Sequence, residues 1–127
     1  MDICIAIALT TTVLLHVPGS VTLDWQHSVE HFQIEEDWLA TPGGLVLREV
    51  RTEGLGAGVH VPDDARRVGR QWRFTPAMAP QPRVVLANSR FAAGYRACWS
   101  GQCTRLSTLR GASDRPLVMQ ACDAGAE

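Results

Sequence analysis

Turn-forming residues recur at short spacing along the chain, and this spacing constrains the fold more than any other feature of the sequence. They cluster at Pro18-Gly19-Ser20, Pro42-Gly43-Gly44, Asn88-Ser89 and Ser100-Gly101, among other places. Between them lie short runs rich in Val, Leu, Trp and Thr, and no segment keeps a 3.6-residue apolar period with caps at both ends. This pattern is typical of an all-β domain with many short strands.

We therefore predict a single all-β domain over residues 1–127, built as an antiparallel β-sandwich or partly closed barrel with little or no helix. The core is expected over residues 3–122, residues 123–127 are expected to form a loose tail, and a single helical turn is expected at Asp63 to Val68. The predicted strands, with meander connections, are residues 3–9, 13–17, 21–29, 34–40, 44–52, 71–75, 83–88, 94–99, 102–107 and 116–122.

The composition limits the class of protein. Apolar residues make up 46% of the chain, which is enough for a core without metals or disulfides. There are 12 basic and 13 acidic residues, for a formal net charge of -1. Balanced charge argues against a nucleic-acid partner, and the apolar content argues against a disordered chain.

An almost wholly apolar run covers Ile3 to Val17 and is interrupted at Thr10 to Thr12 and at His16. It is shorter than the roughly 20 residues that a membrane-spanning helix needs. It also lacks the positive flank and the cleavage site of a signal peptide. Its β-branched residues favour two core strands over a degenerate signal or anchor, and the missing signal by itself favours the cytoplasm.

Two of the four cysteines are close in sequence. A two-residue turn at Ser100-Gly101 would place Cys98 directly opposite Cys103, with Cα atoms about 4.5 Å apart, at the short end of the disulfide range. Reduced thiols are an equal alternative in the cytosol, and a zinc site is a further one, although the spacing is not that of common zinc motifs.

The other two cysteines lie in apolar runs at opposite ends of the chain. An unpaired sheet edge is a liability, so terminal strands often come together. We therefore expect strand 3–9 to pair with or face strand 116–122, and Cys4 and Cys122 to be neighbours, as a second candidate disulfide.

Residues 21–29 and 34–40 alternate apolar and polar side chains. A turn at His31-Phe32 would make the two strands antiparallel neighbours, and their apolar faces would lie on the same side of the sheet in any register shifted by two residues.

One such register places Trp25 opposite Trp38 and His27 opposite Glu36. A buried carboxylate must be paired or protonated, so this pair is an acid–base couple or half of a metal site. We favour a structural role instead, either a hydrogen bond that fixes the strand register or a register that leaves one of the two at the sheet rim. Ser28 points to the other face and cannot use His27 as its base, which argues against a serine hydrolase.

The remaining candidates are an acidic pair and a glycine-rich run. Glu35 and Asp37 share one face and could hold a hard cation such as calcium, although a solvated strand edge is the commoner role. The run Gly54 to Gly58 lacks phosphate-loop spacing and predicts a closely packed loop. No cofactor and no resident metal are expected. The candidates for ligand or partner binding are Trp25, His27, Ser28, Glu35, Glu36, Trp38, Gly56 and Gly58.

Several segments together resemble the domain-of-unknown-function 1850 family in its short form. The most specific is the His-Ser-Val element with its downstream acidic residues, and the likeness extends from about Ile3 to Cys122. The segments are Trp25-Gln26-His27-Ser28-Val29, Glu35-Glu36-Asp37-Trp38, Gly54-Leu55-Gly56-Ala57-Gly58, Gln71-Trp72-Arg73-Phe74-Thr75-Pro76, Cys98-Trp99-Ser100-Gly101-Gln102-Cys103 and Leu117-Val118-Met119-Gln120-Ala121-Cys122.

The resemblance implies no settled biochemical activity. It implies a bacterial genomic setting beside tripartite ATP-independent periplasmic (TRAP) transporters of the TAXI type, which take up organic acids with a solute-binding protein and a membrane permease. Some longer relatives look exported or membrane-anchored, so the resemblance leaves an extracytoplasmic location as an alternative to the cytoplasmic one.

We therefore expect an accessory or binding module that contacts the permease, its solute-binding protein or a small organic ligand. The alternatives are a small metal-dependent or acid–base enzyme centred on His27 and Glu36, and a purely structural interaction domain. The sequence leaves the oligomeric state open.

Overall fold

The structure is a computed structural model of the 127-residue chain, and it describes residues 1–26, 32–54, 61–88, 94–112 and 114–124. Strands dominate these residues, and their helical part is one 3₁₀ turn at Leu106–Thr108. The strands are β1 (Asp2–Ile7), β2 (Val13–Val17), β3 (Ser20–Gln26), β4 (Gln33–Thr41), β5 (Gly44–Thr52), β6 (Arg66–Val68), β7 (Gln71–Phe74), β8 (Val84–Leu86), β9 (Arg96–Trp99), β10 (Gln102–Arg105) and β11 (Leu117–Cys122).

The strands form two antiparallel sheets, which confirms the all-β sandwich. The smaller sheet has four strands in the order β2-β1-β11-β8, and the larger has seven in the order β10-β9-β3-β4-β5-β7-β6. Over the residues that the structure describes, the sheets do not close into a barrel. Meander connections account for β3-β4-β5, whereas the neighbours β1 and β11, and β3 and β9, are far apart in sequence.

The core lies between the sheets and draws on alternate residues of both, as expected for strands with one buried face. In β1, for example, Ile3 and Ile5 are fully buried. The buried side chains of the core are Ile3, Ile5, Ile7, Val17, Val21, Leu23, Ile34, Trp38, Ala40, Leu45, Leu47, Val50, Leu86, Ala97, Leu106, Ala112, Leu117 and Met119.

A β-bulge in β5 changes which residues of that strand face the core. Asp37 pairs with Glu49, but the next residue of β4 pairs with Leu47, so Arg48 is the extra residue. Leu47 and Val50 are therefore both buried although they are three positions apart. The bulge leaves Glu49 and Arg51 on the outer face, beside Asp37.

The two ends of the chain meet in the smaller sheet, as predicted. Strand β1 lies between β2 and β11, and a disulfide joins Cys4 to Cys122 with a Cα–Cα distance of 6.0 Å. The apolar run at the start of the chain thus forms two paired strands: β1 lies in the core, and β2 lies at the edge of the sheet and buries only Val17. No helix among the described residues has the length and apolar character needed to span a membrane.

The β9–β10 hairpin also has the predicted geometry. Ser100 and Gly101 both have positive φ, 47° and 78°, as a two-residue type I′ turn requires. Cys98 lies directly opposite Cys103, and the two form a disulfide with a Cα–Cα distance of 4.1 Å. In this structure the pair is therefore neither reduced nor a zinc site.

The helical turn expected at Asp63 to Val68 is wrong. Asp63 and Asp64 form a turn, and Arg66–Val68 is the edge strand β6, paired with β7. Gly69, with φ 61°, lies in the tight turn between these two strands. All residues of β6 are exposed, so the segment carries no apolar period that could have revealed a strand.

Gly54 is the described part of the glycine-rich run, and it is closely packed as predicted. A Cβ atom added at this position would lie 2.3 Å from Cδ1 of Phe32. We expect Gly54→Ala to lower the free energy of unfolding by about 1–3 kcal/mol, because the aromatic ring must move. Gly43→Ala is the control, since its nearest neighbour would be the Thr41 Oγ1 at 3.8 Å. Equal urea midpoints for the two variants would contradict the packing argument.

Candidate functional site

The acidic triplet of β4 divides between the two faces of the larger sheet, as alternation requires. Glu35 and Asp37 point outward, and Glu36 points inward with its neighbours Ile34 and Trp38, both of which are buried. The three carboxylates therefore lie in two different environments.

On the outer face, Arg51 binds both carboxylates that were candidates for a cation site. Its Nη1 and Nη2 atoms donate to the two oxygens of Asp37 at 2.7 and 2.8 Å, and Nε donates to Glu35 at 3.3 Å. Nη1 also donates to Glu49 at 2.8 Å. The structure thus places a guanidinium group between these carboxylates.

Arg51 favours the ionised form of Asp37. Its hydrogen bonds hold the pKa of Asp37 below the ordinary value, and a hydrogen bond from Thr22 Oγ1 at 2.7 Å acts in the same direction. Hydrogen bonding to Asp37 raises the pKa of Arg51 in turn. We infer that this cluster is an ion-pair network that holds β3, β4 and β5 together on the outer face.

On the inner face, Glu36 lies among aromatic side chains. It accepts a hydrogen bond from Trp38 Nε1 at 3.3 Å. Burial raises the pKa of Glu36, and the hydrogen bond from Trp38 opposes this shift only in part. Burial also raises the pKa of Tyr95, and the nearby charge of Glu36 adds to that increase. The ring of Tyr95 packs against Trp25 with centroids 5.9 Å apart.

The predicted register of β3 and β4 is wrong by four residues, although the predicted faces are correct. Leu23 lies opposite Glu36, Trp25 opposite Ile34 and Val21 opposite Trp38. Alternation gives the same faces for every even shift, so it could not select among these registers. The position opposite Glu36 that was predicted for His27 is therefore occupied by Leu23.

Four of the predicted binding residues lie outside the described part of the chain. They are His27, Ser28, Gly56 and Gly58. Of the remaining candidates, Trp25, Glu36 and Trp38 lie on the inner face of the larger sheet, and Glu35 belongs to the ion-pair network on the outer face. The structure therefore brings Trp25, Glu36 and Trp38 to one face of the sheet and separates Glu35 from them.

We expect Glu36→Gln to remove a pH dependence of stability. Because the pKa of Glu36 is raised in the folded state, the folded chain holds this proton more tightly than the unfolded chain does. The neutral acid therefore contributes stability that is complete below the ordinary pKa of 4.5. This stability is lost as the pH rises above 4.5 and through the raised pKa. Glutamine keeps the acceptor oxygen for Trp38 and does not ionise. In urea unfolding from about pH 4 to about pH 8, the free energy of unfolding of the variant should increase relative to that of the wild type as the pH rises. Parallel profiles would contradict this result.

A groove at the end of β3 contains a set of residues that the sequence analysis missed. We call it the arginine groove; it has a volume of about 360 Å³ and is lined by Asp24, Trp25, Gln26, Gln33, Gly94, Arg96 and Arg105. It opens where β3 ends at Gln26, immediately before His27 in the chain. Glu36 does not belong to its lining.

Two arginines lie directly opposite each other in this groove. Arg96 of β9 pairs with Arg105 of β10, and like charges in such a position repel. Asp24 offsets the positive charge of Arg96, because its carboxylate is buried and accepts a hydrogen bond from that side chain. It also accepts one from Gln33 Nε2 at 3.0 Å. Within the described segments, Arg105 has no carboxylate within ion-pair distance.

The sequence contained only a weak signal for this groove. Asp24 and Arg96 are 72 residues apart and meet because β3 pairs with β9. An aspartate on the polar side of a β-strand is ordinary, and nothing local distinguishes Arg96 or Arg105 from the other arginines. A second groove, of about 430 Å³, lies by the β9–β10 turn, and its acidic residues Asp37 and Glu49 are bound by Arg51.

Comparison with known proteins relates the larger sheet, together with β8 of the smaller sheet, to a protein family. The model of the family described as a domain of unknown function (DUF1850) matches residues 21–106. These residues include β4 to β10 and nearly all of β3, whereas β1, β2 and β11 lie outside the match. No curated protein and no solved structure shows a significant match. Because the matched segment is well over half of the 127 residues, the chain belongs to the DUF1850 family.

Proposed function

We propose that this protein is a binding module for a small organic anion and that it takes a carboxylate group of that ligand in the arginine groove. The observation that carries this proposal is the opposed pair Arg96 and Arg105, for which Asp24 supplies a single buried counter-charge. A ligand carboxylate would offset the second positive charge.

The other groups in the groove fit such a ligand. Guanidinium groups bind carboxylates through two parallel hydrogen bonds, and they are the usual choice where that geometry is needed. Gln26 and Gln33 add amide side chains to the lining of the same groove. A volume of about 360 Å³ is at the lower end of the range for ligand pockets, which suits a small organic acid.

We further propose that this binding serves TAXI-type TRAP uptake, with the permease or its solute-binding protein as partner. The support for this step is the agreement between the chemistry of the groove and the organic acids that such systems carry. The proposal does not depend on the compartment, since the ligand contacts are the same on either side of a membrane.

The ligand is tested by calorimetric titration of the full chain with a series of small mono- and dicarboxylates. Arg105→Gln should weaken binding about tenfold or more, because it removes one charge-assisted hydrogen-bonding partner. Arg70→Gln is the matched control, since Arg70 is exposed in the turn between β6 and β7 at the opposite edge of the sheet. The proposal fails if no carboxylate binds, or if Arg105→Gln binds as tightly as the control.

The transporter association has its own test. A tagged chain expressed with a TAXI-type permease and its solute-binding protein should co-purify with one of them. If the chain binds a carboxylate but co-purifies with neither protein, the proposed ligand stands and the proposed transporter partner is wrong.

An acid–base enzyme remains the second candidate because one observation favours it. Glu36 is a largely buried carboxyl group whose pKa is raised by burial, and carboxyl groups with raised pKa values are common among catalytic acids and bases. If it acts in this way, its substrate must reach the inner face, and Glu36→Gln would abolish turnover while leaving carboxylate binding in the arginine groove intact. If the chain neither binds a carboxylate nor turns one over, the remaining function is that of a purely structural interaction domain.

A further inference from the structure

Four metal-binding side chains meet on the outer face of the smaller sheet, away from the region matched by the family. Strand pairing places Cys4 of β1 directly opposite His16 of β2, and Asp2 of β1 directly opposite Cys122 of β11. Because Asp2 and Cys4 are two residues apart on one strand, all four side chains share the same face of the sheet.

The donor atoms are close together. One ligand atom from each of Cys4, His16 and Cys122 lies within 4.8 Å of the other two. Asp2 Oδ2 lies 2.8 Å from His16 Nε2, and the His16 side chain is 38% exposed, so the group is open to solvent on one side. In the structure the two sulfur atoms form a disulfide, and a sulfur in that state is a poor metal ligand.

We propose that this cluster is a redox-gated zinc site: oxidised, it is the Cys4–Cys122 disulfide, and reduced, it binds Zn²⁺ through Cys4, Cys122 and His16. Two thiolates and one imidazole form a donor set that zinc prefers, with Zn–S distances of about 2.3 Å and Zn–N distances of about 2.0–2.1 Å. Tetrahedral geometry requires the donors to be about 3.5 Å apart. The donor atoms of the three side chains already lie within 4.8 Å of one another, and water takes the fourth position on the exposed side.

Asp2 is a positioning residue in this proposal. A carboxylate that accepts a hydrogen bond from a ligating histidine fixes the orientation and the protonated nitrogen of the ring. Asp2 already forms this hydrogen bond with His16. It therefore holds the imidazole beside the sulfur atoms in both states of the site.

The redox step is a thiol–disulfide exchange. A dithiol reductant breaks the Cys4–Cys122 bond, becomes a cyclic disulfide itself, and transfers two electrons and two protons to give two thiols. Zinc binding then displaces both thiol protons, so two protons are released for each ion bound. Zinc and the disulfide are mutually exclusive, and zinc therefore protects the thiols from reoxidation.

The hairpin pair Cys98 and Cys103 serves as an internal control. Among the described parts of the chain it belongs to no group of three or more cysteine, histidine or acidic side chains with donor atoms this close. Reduction of that pair should therefore create no comparable site.

The test is a Zn²⁺ titration of the full chain before and after reduction with a phosphine, which becomes a phosphine oxide and competes weakly for the metal. The oxidised chain should bind no zinc, and the reduced chain should bind one ion and release two protons. Asp2→Asn should weaken binding about 10–100-fold, and His16→Ala should weaken it further. Cobalt(II) should give a thiolate charge-transfer band in the reduced wild type and in reduced Asp2→Asn. The control variant Cys98→Ala/Cys103→Ala should bind zinc as tightly as the wild type does.

The possible results all bear on the proposal. If reduction unfolds the chain, recovery of the strand circular-dichroism signal on zinc addition supports it, and no recovery overturns it. Zinc binding by the oxidised chain, unchanged affinity in His16→Ala, or loss of binding in Cys98→Ala/Cys103→Ala would each overturn it.

Discussion

Deletion of residues 1–9 is expected to abolish folding. The deletion removes β1, which lies between β2 and β11, together with the buried side chains of Ile3, Ile5 and Ile7. Burial of one such side chain contributes about 1.5–3 kcal/mol, so the loss approaches the net stability of about 5–15 kcal/mol that is usual for a domain. It also leaves β2 without its partner in the sheet and removes Cys4 from its disulfide.

The matched control is deletion of residues 123–127 at the other end of the chain. Strand β11 ends at Cys122, and Asp123 and Ala124 are exposed and outside any strand. This truncation should leave the urea midpoint nearly unchanged. A cooperatively unfolding, soluble chain that lacks residues 1–9 would show instead that the apolar run is a dispensable leader.

Removal of the Cys4–Cys122 disulfide is expected to cost more stability than removal of the hairpin disulfide. The two bonds span 118 and 5 residues of sequence separation, and in the chain-entropy model a longer closed loop restricts the unfolded state more. That model gives about 5 kcal/mol for the long loop and about 2 kcal/mol for the short one.

The measurement compares Cys4→Ala/Cys122→Ala with Cys98→Ala/Cys103→Ala by urea unfolding without reductant and with a chelator present. Alanine is used instead of serine because a serine hydroxyl group would be buried at position 4, where Cys4 is only 6% exposed. Equal losses, or a larger loss in the hairpin variant, would contradict the entropic account.

Local sequence patterns predicted the strands other than β6, and the buried faces of β3 and β4, because both depend on neighbours in the chain. The limits predicted for β2 and β5 are correct, and the turn at Ser100-Gly101 placed Cys98 opposite Cys103. A two-residue turn allows one register, so the pairing across it follows from sequence alone.

The candidate site could be predicted only in part. Alternation assigned Glu36 to the inner face with Trp25 and Trp38, and Glu35 and Asp37 to the outer face. It could not show that Arg51 binds the outer carboxylates, because the bulge at Arg48 determines which residues of β5 lie beside them.

By itself the sequence determined the all-β class, the faces of the strands and the tight hairpin, since a period of two residues and a turn residue act over a few positions. Only the tertiary structure decided the β3–β4 register, the meeting of Arg96 with Asp24, and the position of His16 beside Cys4 and Cys122. Registers shifted by two residues bury the same face, and contacts between strands far apart in sequence depend on how the whole sheet is assembled. The chemistry proposed here rests on those long-range pairings.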